Sequence, residues 1–319
     1  MIFDSESVFE DNVITVLKQH GWKDGVLRYP TEQDLLDNWK GILYRNNNDI
    51  DRLGKYPLTD GEMAQIIEQI ETLRTPLALN SFVNGRTVSI TRDNKEDVAH
   101  FGKEISLYIY DRKEIAGGKS TYQIAQQPVY PAKNKMLNSR RGDLVLLING
   151  MPLIHIELKK SGIPVSQATN QIEKYTHEGV FTGLFRLVQI FVAMNPDDAV
   201  YFANPGVDKF NPSYYFHWAD YNNEPICGGQ NPGKDEWKLF IGGTSGTAGC
   251  CPFPWRISSS ASTPSPTRQT DASRCCAATS TSLRTPSLTW CANAIGNSGQ
   301  LLRDDQAAMY GTLPVPEKP

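Results

Sequence analysis

Cysteine is absent from residues 1–226 of this chain, and all six cysteines lie at or beyond Cys227. This absence excludes a disulfide framework and a cysteine-based zinc site from most of the sequence. Long apolar runs and an N-terminal signal peptide are also missing. We therefore expect a cytoplasmic protein that does not contact a membrane.

An excess of positive charge is lacking too. The formal net charge is −3, and residues 241–319 contain six Lys and Arg against four Asp and Glu, which leaves −5 for residues 1–240. Such a domain does not attract DNA as a whole, so DNA binding would need a local basic patch. Four basic residues form a candidate patch: Lys133, Lys135, Arg140 and Arg141. A solvated loop explains these charges equally well.

The sequence divides into two parts near residue 241. Residues 1–240 show helical periodicity first and strand-like runs later, which predicts an α/β domain with a mixed sheet flanked by helices. Residues 241–319 are dominated by Gly, Ser, Thr, Pro, Ala, Cys and Arg, without hydrophobic periodicity. Because this segment has little apolar surface to offset the entropy of ordering, we predict a poorly structured tail.

Individual elements follow from the spacing of apolar residues and from cap residues. Helices are predicted at 6–19, from Thr31 to Ile42, from the N-cap Asp60 onward, and at 166–176 with Ser166 as N-cap. Strands are predicted at 87–92, 105–110, 143–148, 153–159, 187–194 and 199–203.

The strongest chemical signal is a hairpin with charges at its open end. Two apolar runs flank the turn residues Asn149 and Gly150, with Asp143 before the first run and Glu157 and Lys159 closing the second. Residues two apart on a strand share a face, so Glu157 and Lys159 lie together. A three-residue loop or a β-bulge would place Asp143 opposite Glu157, whereas a plain two-residue turn would not.

Two converging carboxylates and a nearby backbone carbonyl suit Mg²⁺, which prefers oxygen ligands. Asp143, Glu157 and the Leu158 carbonyl are therefore candidate ligands, and the ion would polarise a phosphodiester and activate water. Lys159 would orient that water or neutralise developing charge. The alternative is an edge strand whose charges prevent aggregation.

A helix that follows the hairpin supports the first interpretation. Gln171 and Tyr175 are spaced i, i+4, so they share one helical face that can reach a phosphate or a base. An ordinary helix surface would also account for these two residues.

These residues together resemble a known family. The segment GDLVLLINGMPLIHIELKKSG, followed by NQIEKY, is similar to the PD-(D/E)xK nuclease domain of type I restriction enzyme R subunits. The family's metal-binding Asp and Glu and its Lys match Asp143, Glu157 and Lys159. Its QxxxY motif matches Gln171 and Tyr175. Here Gly142 precedes Asp143, where the motif usually has Pro.

The resemblance covers residues 1–240 and implies further properties. Residues 7–14 resemble the family's first helix, whose Glu approaches the metal and would be Glu10. A restriction-endonuclease-like core, double-stranded DNA as substrate and Mg²⁺ as cofactor are implied. So are methyltransferase and specificity subunits as partners.

A frameshift explains the composition of the tail. Read one nucleotide upstream, residues 254–267, 272–282 and 307–319 can encode phrases that resemble the start of the family's helicase motor. The last phrase would be a phosphate-binding loop. We therefore predict a frameshift between about Phe240 and Gly249, ATP binding by full-length family members, and none by this chain. Low-complexity disorder is the ordinary alternative.

The leading functional hypothesis is a Mg²⁺-dependent DNA endonuclease domain. The first alternative is a non-catalytic scaffold that docks on partners or DNA. The second is a recombination or repair nuclease of the wider group that shares the QxxxY motif.

Overall fold

The computed structural model describes residues 2–83, 87–109, 120–131, 139–206 and 208–217. The helices are α1 (Glu6–Gln19), α2 (Glu32–Asn46), α3 (Asp60–Thr72), α4 (Pro76–Val83) and α5 (Val165–His177). The strands are β1 (Val26–Arg28), β2 (Thr87–Thr91), β3 (Glu104–Tyr108), β4 (Tyr122–Gln126), β5 (Val129–Tyr130), β6 (Arg140–Arg141), β7 (Leu144–Ile148), β8 (Met151–Leu158), β9 (Ile190–Met194), β10 (Ala199–Ala203) and β11 (Phe216–His217). Short 3-10 turns lie at Gly183–Leu187 and Pro212–Tyr214.

Within these ranges a seven-stranded mixed sheet forms in the order β1-β4-β7-β8-β9-β10-β11. The β1–β4 and β8–β9 pairs are parallel, and the other pairs of this sheet are antiparallel. Helix α1 contacts β8, and α5 contacts β8 and β9. The predicted restriction-endonuclease-like α/β fold is thus confirmed for this part of the chain. The boundary near residue 240 and the tail 241–319 lie outside the described residues.

The central hairpin is buried along both strands. Every residue of β7 and of β8 is buried, because neighbouring strands and helices cover them. Strand β8 lies between β7 and β9, so the alternative of an exposed edge strand is wrong. A charged side chain at the end of β8 therefore lies where desolvation is costly.

Cap residues explain most helix starts. Thr31 caps α2, and its side chain and that of Asp34 form a capping box. Helix α3 is capped by Thr59 rather than by the predicted Asp60, because Thr59 forms the same box with Glu62. Helix α5 begins one residue before the predicted cap Ser166, since Pro164 occupies the cap position without a side-chain hydrogen bond.

Some elements differ from the predicted pattern. Residues 187–189 precede β9, because Leu187 still belongs to a 3-10 turn. Strand β4 pairs with β1 and β7 as the second strand of the sheet, but its sequence YQIAQ does not predict a strand because it contains two glutamines. The Gln123 amide exchanges hydrogen bonds with the Asn38 side chain, which satisfies a polar group that would otherwise be costly to bury. Among the described helices, none is long and apolar enough to cross a membrane.

Candidate active site

The β7–β8 hairpin brings the two predicted acidic ligands together. Its turn is the two-residue Asn149-Gly150 turn with positive φ at both residues, so the predicted three-residue loop is wrong. The alternative of a bulge is confirmed: Leu146 pairs with Ile154, whereas Leu147 pairs with Pro152.

This bulge sets which face each charged side chain occupies. Beyond it Leu144 pairs with Ile156, and one more step places Asp143 opposite Glu157. The Asp143 Oδ2 atom accepts a hydrogen bond from the Leu158 N–H at 2.6 Å. The bulge therefore supplies the one-residue shift that puts both carboxylates on one face.

Glu157 is a carboxylate buried near the end of β8. Its side chain is 1% exposed, and within the described part of the chain neither carboxylate oxygen accepts a well-formed hydrogen bond. Burial raises the pKa of Glu157 to about 8, and the attraction of Lys159 offsets this only in part. Burial, and then repulsion from Glu157, raise the pKa of Asp143 well above its usual range. Two carboxyl groups that resist ionisation together are suited to a divalent cation.

Lys159 joins the pair from the end of β8. Its Nζ donates a hydrogen bond to the Leu158 carbonyl at 2.9 Å and lies 3.8 Å from Glu157 Oε1. It also lies 3.7 Å from Oε1 of Glu6, a residue that the sequence interpretation did not include. Glu6 and Glu10 are spaced i, i+4 on α1, and this spacing predicts that both side chains lie on one face of the helix.

Glu10 reaches the site through a neighbouring amide. It is buried, its Oε2 accepts a hydrogen bond from Gln127 Nε2 at 3.1 Å, and burial raises its pKa. The Gln127 backbone N–H in turn donates to the Asp143 carbonyl oxygen at 2.7 Å. Gln127 has φ +49°, a conformation that non-glycine residues keep mainly where the surroundings enforce it. Gln127 thus links the Glu10 carboxylate to the strand that carries Asp143.

Among the described residues, no group of three His, Cys, Asp or Glu side chains is arranged to hold a metal ion. Glu10 therefore does not complete a trio of acidic ligands with Asp143 and Glu157. The Leu158 carbonyl is engaged by Lys159, so an ion bound there would compete with that ammonium.

Gln171 and Tyr175 form a chain of hydrogen bonds that ends on a backbone carbonyl, so the tyrosine hydroxyl does not point into solvent. Gln171 Nε2 donates to the Tyr175 hydroxyl at 2.6 Å, and the hydroxyl donates to the Arg141 carbonyl oxygen at 2.8 Å. Tyr175 is buried, so an ordinary helix surface does not describe it. The pair from α5 anchors the segment that leads directly into Asp143, and its predicted contact with DNA stays a prediction.

The basic residues before Asp143 have different surroundings. Arg140 is bound to Glu178 by two hydrogen bonds of 2.7 and 2.8 Å. Arg141 is exposed, and its guanidinium carbon lies 5.8 Å from the ring centre of the half-exposed Tyr29. Of the two, Arg141 is the one whose charge is available to a phosphate. Lys133 and Lys135 lie outside the described residues.

Close packing explains why glycine precedes Asp143. A Cβ atom at Gly142 would lie 2.6 Å from the Tyr130 hydroxyl and 2.8 Å from His155 Cε1. Both side chains are fully buried, so neither can withdraw without disturbing the core. The departure from the Pro-Asp form of the motif is therefore a packing requirement of this chain.

Gly142→Ala is expected to lower the free energy of unfolding by about 1–3 kcal/mol, because the added methyl overpacks the core. Gly41→Ala in α2 is the matched control, since its Cβ would meet only Arg45 Nη1 at 3.9 Å and alanine favours a helix. Urea unfolding of both variants measures the difference. Equal stability of wild type and Gly142→Ala would contradict the packing argument.

Comparison with known families gives an independent result. Residues 4–210 match the model of the type I restriction enzyme R protein N terminus. Two staphylococcal proteins and one from Escherichia coli, each named an endonuclease subunit of a type I restriction enzyme, are similar to this chain.

The similarity is partial in length. The Staphylococcus saprophyticus protein is 31% identical over 232 residues, and that of Staphylococcus aureus strain COL is 32% identical over 228 residues. Each alignment covers 71% of this chain but 22% of the relative. The Escherichia coli protein is 28% identical over 254 residues, which cover 71% of this chain and 76% of the relative. The chain thus spans about a fifth of the staphylococcal relatives.

Proposed function

This chain belongs to the family of type I restriction enzyme R protein N termini, and from that premise we propose that its N-terminal domain is a Mg²⁺-dependent DNA endonuclease. One observation carries the proposal. Asp143 and Glu157 lie side by side at the end of a buried hairpin, and Lys159 stands next to them. A scaffold would gain stability by replacing such buried charges with apolar residues, so their presence favours chemistry.

The donor set fits a hard divalent cation. Carboxylate oxygens and a backbone carbonyl are the ligands that Mg²⁺ accepts, and Glu157 has two buried oxygens that lack well-formed hydrogen bonds within the described residues. Asp143, Glu157 and the Leu158 carbonyl would hold the ion, and Glu10 would support it from α1. A bound Mg²⁺ supplies Lewis-acid polarisation of a phosphodiester and a more acidic water.

The protein's own groups have separable roles. The Leu158 N–H fixes Asp143 Oδ2, and Tyr175 fixes the backbone that precedes Asp143. Lys159 places a positive charge beside the carboxylates, where it can orient water or neutralise charge on the phosphate. Arg141 supplies an exposed charge for the DNA backbone.

Double-stranded DNA as substrate, methyltransferase and specificity subunits as partners, and a cytoplasmic location belong to this proposal. The relatives' names describe them as subunits of restriction enzymes, which supports an assembly with other chains. ATP binding is proposed for full-length members of the family.

Nicking of supercoiled plasmid tests the proposal. We expect wild type to nick DNA with Mg²⁺ and not with excess EDTA, and Asp143→Asn to lose at least about 100-fold in rate. Asp37→Asn, at an exposed position in α2, is the matched control and should keep full activity. Absence of nicking by folded wild-type protein that still binds DNA would favour the non-catalytic scaffold. Equal rates for wild type and Asp143→Asn would refute the proposed site.

A further inference from the structure

A chain of buried polar groups leads from the core to Glu157. Tyr130, His155 and Glu157 are all fully buried. The Tyr130 hydroxyl lies 2.9 Å from His155 Nδ1, and His155 Nε2 lies 3.2 Å from Glu157 Oε2. The Nε2–Oε2 contact is within ion-pair distance but is not aligned well enough to count as a hydrogen bond.

The surroundings of the imidazole are otherwise aromatic. Its ring centre lies 5.3 Å from that of Phe181, 6.1 Å from that of Phe191 and 6.3 Å from that of Tyr175. An apolar residue would fill this space without the desolvation penalty that imidazole and phenol bring. Packing alone therefore does not explain a histidine at this position.

The hydrogen-bond inventory assigns the state of the ring. A neutral imidazole has one N–H and one acceptor nitrogen, and the contacts of the two ring nitrogens decide which of them carries the proton. Burial raises the pKa of Tyr130 well above its usual range, so the phenol keeps its proton and can donate it to Nδ1. The N–H of the ring then lies on Nε2, beside Glu157 Oε2.

We propose that His155, held by Tyr130, is a positioning residue that directs its Nε2–H at Glu157 Oε2 and leaves Oε1 for a divalent cation. Oε1 is the oxygen nearer Lys159, at 3.8 Å from Nζ. Because a carboxylate with one oxygen held in place loses less freedom on binding an ion, the arrangement favours Mg²⁺ affinity. This inference rests on the proposed function, since it assigns a support to that same site.

The tautomer of the His155 ring is the first test. ¹⁵N NMR of the metal-free protein with labelled histidine at about pH 9, above the pKa of about 8 of Glu157, distinguishes the two neutral forms of the ring. Tyr130→Phe, which keeps the ring but removes the hydroxyl, assigns the signal and releases the constraint. We expect the Nε2–H form in wild type and a mixture in Tyr130→Phe. A predominant Nδ1–H form in wild type would overturn the inference.

Magnesium affinity is the second test. Titration calorimetry with Mg²⁺ should show affinity about 10-fold or more weaker in His155→Leu. His155→Gln, whose amide can donate to Glu157, should bind within about threefold of wild type, which a merely structural role would not require. Far-UV circular dichroism confirms folding before the comparison.

The Asp143→Asn variant separates two kinds of failure. If Asp143→Asn loses Mg²⁺ binding while His155→Leu keeps it, the positioning role is wrong and the metal site stands. If neither variant changes Mg²⁺ binding, the metal site itself is wrong. If His155→Leu does not fold, wild-type affinity in Tyr130→Phe would contradict the inference, and weakened affinity would support it.

Discussion

Glu157→Gln is expected to stabilise the metal-free protein by about 1–3 kcal/mol at pH 7, because a neutral side chain replaces a carboxyl that resists ionisation. The same variant should lose at least about 100-fold in Mg²⁺-dependent nicking, because an amide is a poor ligand for the ion. Stability and activity thus move in opposite directions. Substitution of a residue that only supported the fold would lower both the stability and the nicking activity.

The pH dependence of stability gives the same test a second readout. The pKa of Glu157 is raised from 4.5 to about 8 by burial, so between these values the folded state holds a proton that the unfolded state releases. The free energy of unfolding of wild type should therefore fall as pH rises from about 4.5 to 8. In Glu157→Gln this contribution disappears, so the fall should be shallower. The variant also removes the repulsion that raises the pKa of Asp143, so the contribution of Asp143 to this fall becomes smaller too.

Urea unfolding with EDTA from pH 5 to 8.5 measures both effects. Glu68→Gln, at an exposed position in α3, is the matched control and should follow wild type. Added Mg²⁺ should stabilise wild type at pH 8 and have little effect on Glu157→Gln, since ligand binding to the folded state raises its stability. A variant that is less stable than wild type at every pH would contradict the account of Glu157.

The sequence predicted the central hairpin well, but not the residues from other segments that hold the site in place. The hairpin was predictable because its apolar runs and turn residues are contiguous, and the face of Asp143 relative to Glu157 followed from period-two geometry. The position of the bulge was not predictable. It depends on how Leu146 and Leu147 pair with β8, which is a matter of packing across the sheet rather than of local pattern.

Residues that support the site come from distant segments without a pattern of their own. Three of these residues lie outside the hairpin: Gln127 just after β4, Glu6 in α1 and Tyr130 in β5. None of the three belongs to a recognisable motif. A lone polar residue in a sequence does not show which buried atom it satisfies. The sequence gives no signal for His155 for the same reason, since only the structure shows its two nitrogens between Tyr130 and Glu157.

Lys159→Ala is expected to reduce the rate of nicking about 100-fold to 1,000-fold, because it removes the one positive charge placed beside both carboxylates in the described site. Lys159→Met, which keeps the apolar stem and deletes the charge, should behave similarly. Lys160→Ala is the matched control, since the adjacent lysine is exposed to solvent.

Magnesium affinity distinguishes a role in the reaction from a role in holding the ion. Lys159 repels a cation, so its removal should leave Mg²⁺ binding unchanged or slightly tighter while the nicking rate falls. The Glu157→Gln variant should instead show both weaker Mg²⁺ binding and a lower nicking rate. If Lys159→Ala nicks DNA as fast as Lys160→Ala at saturating Mg²⁺, the ammonium takes no part in the reaction, and only the two carboxylates would remain of the proposed site.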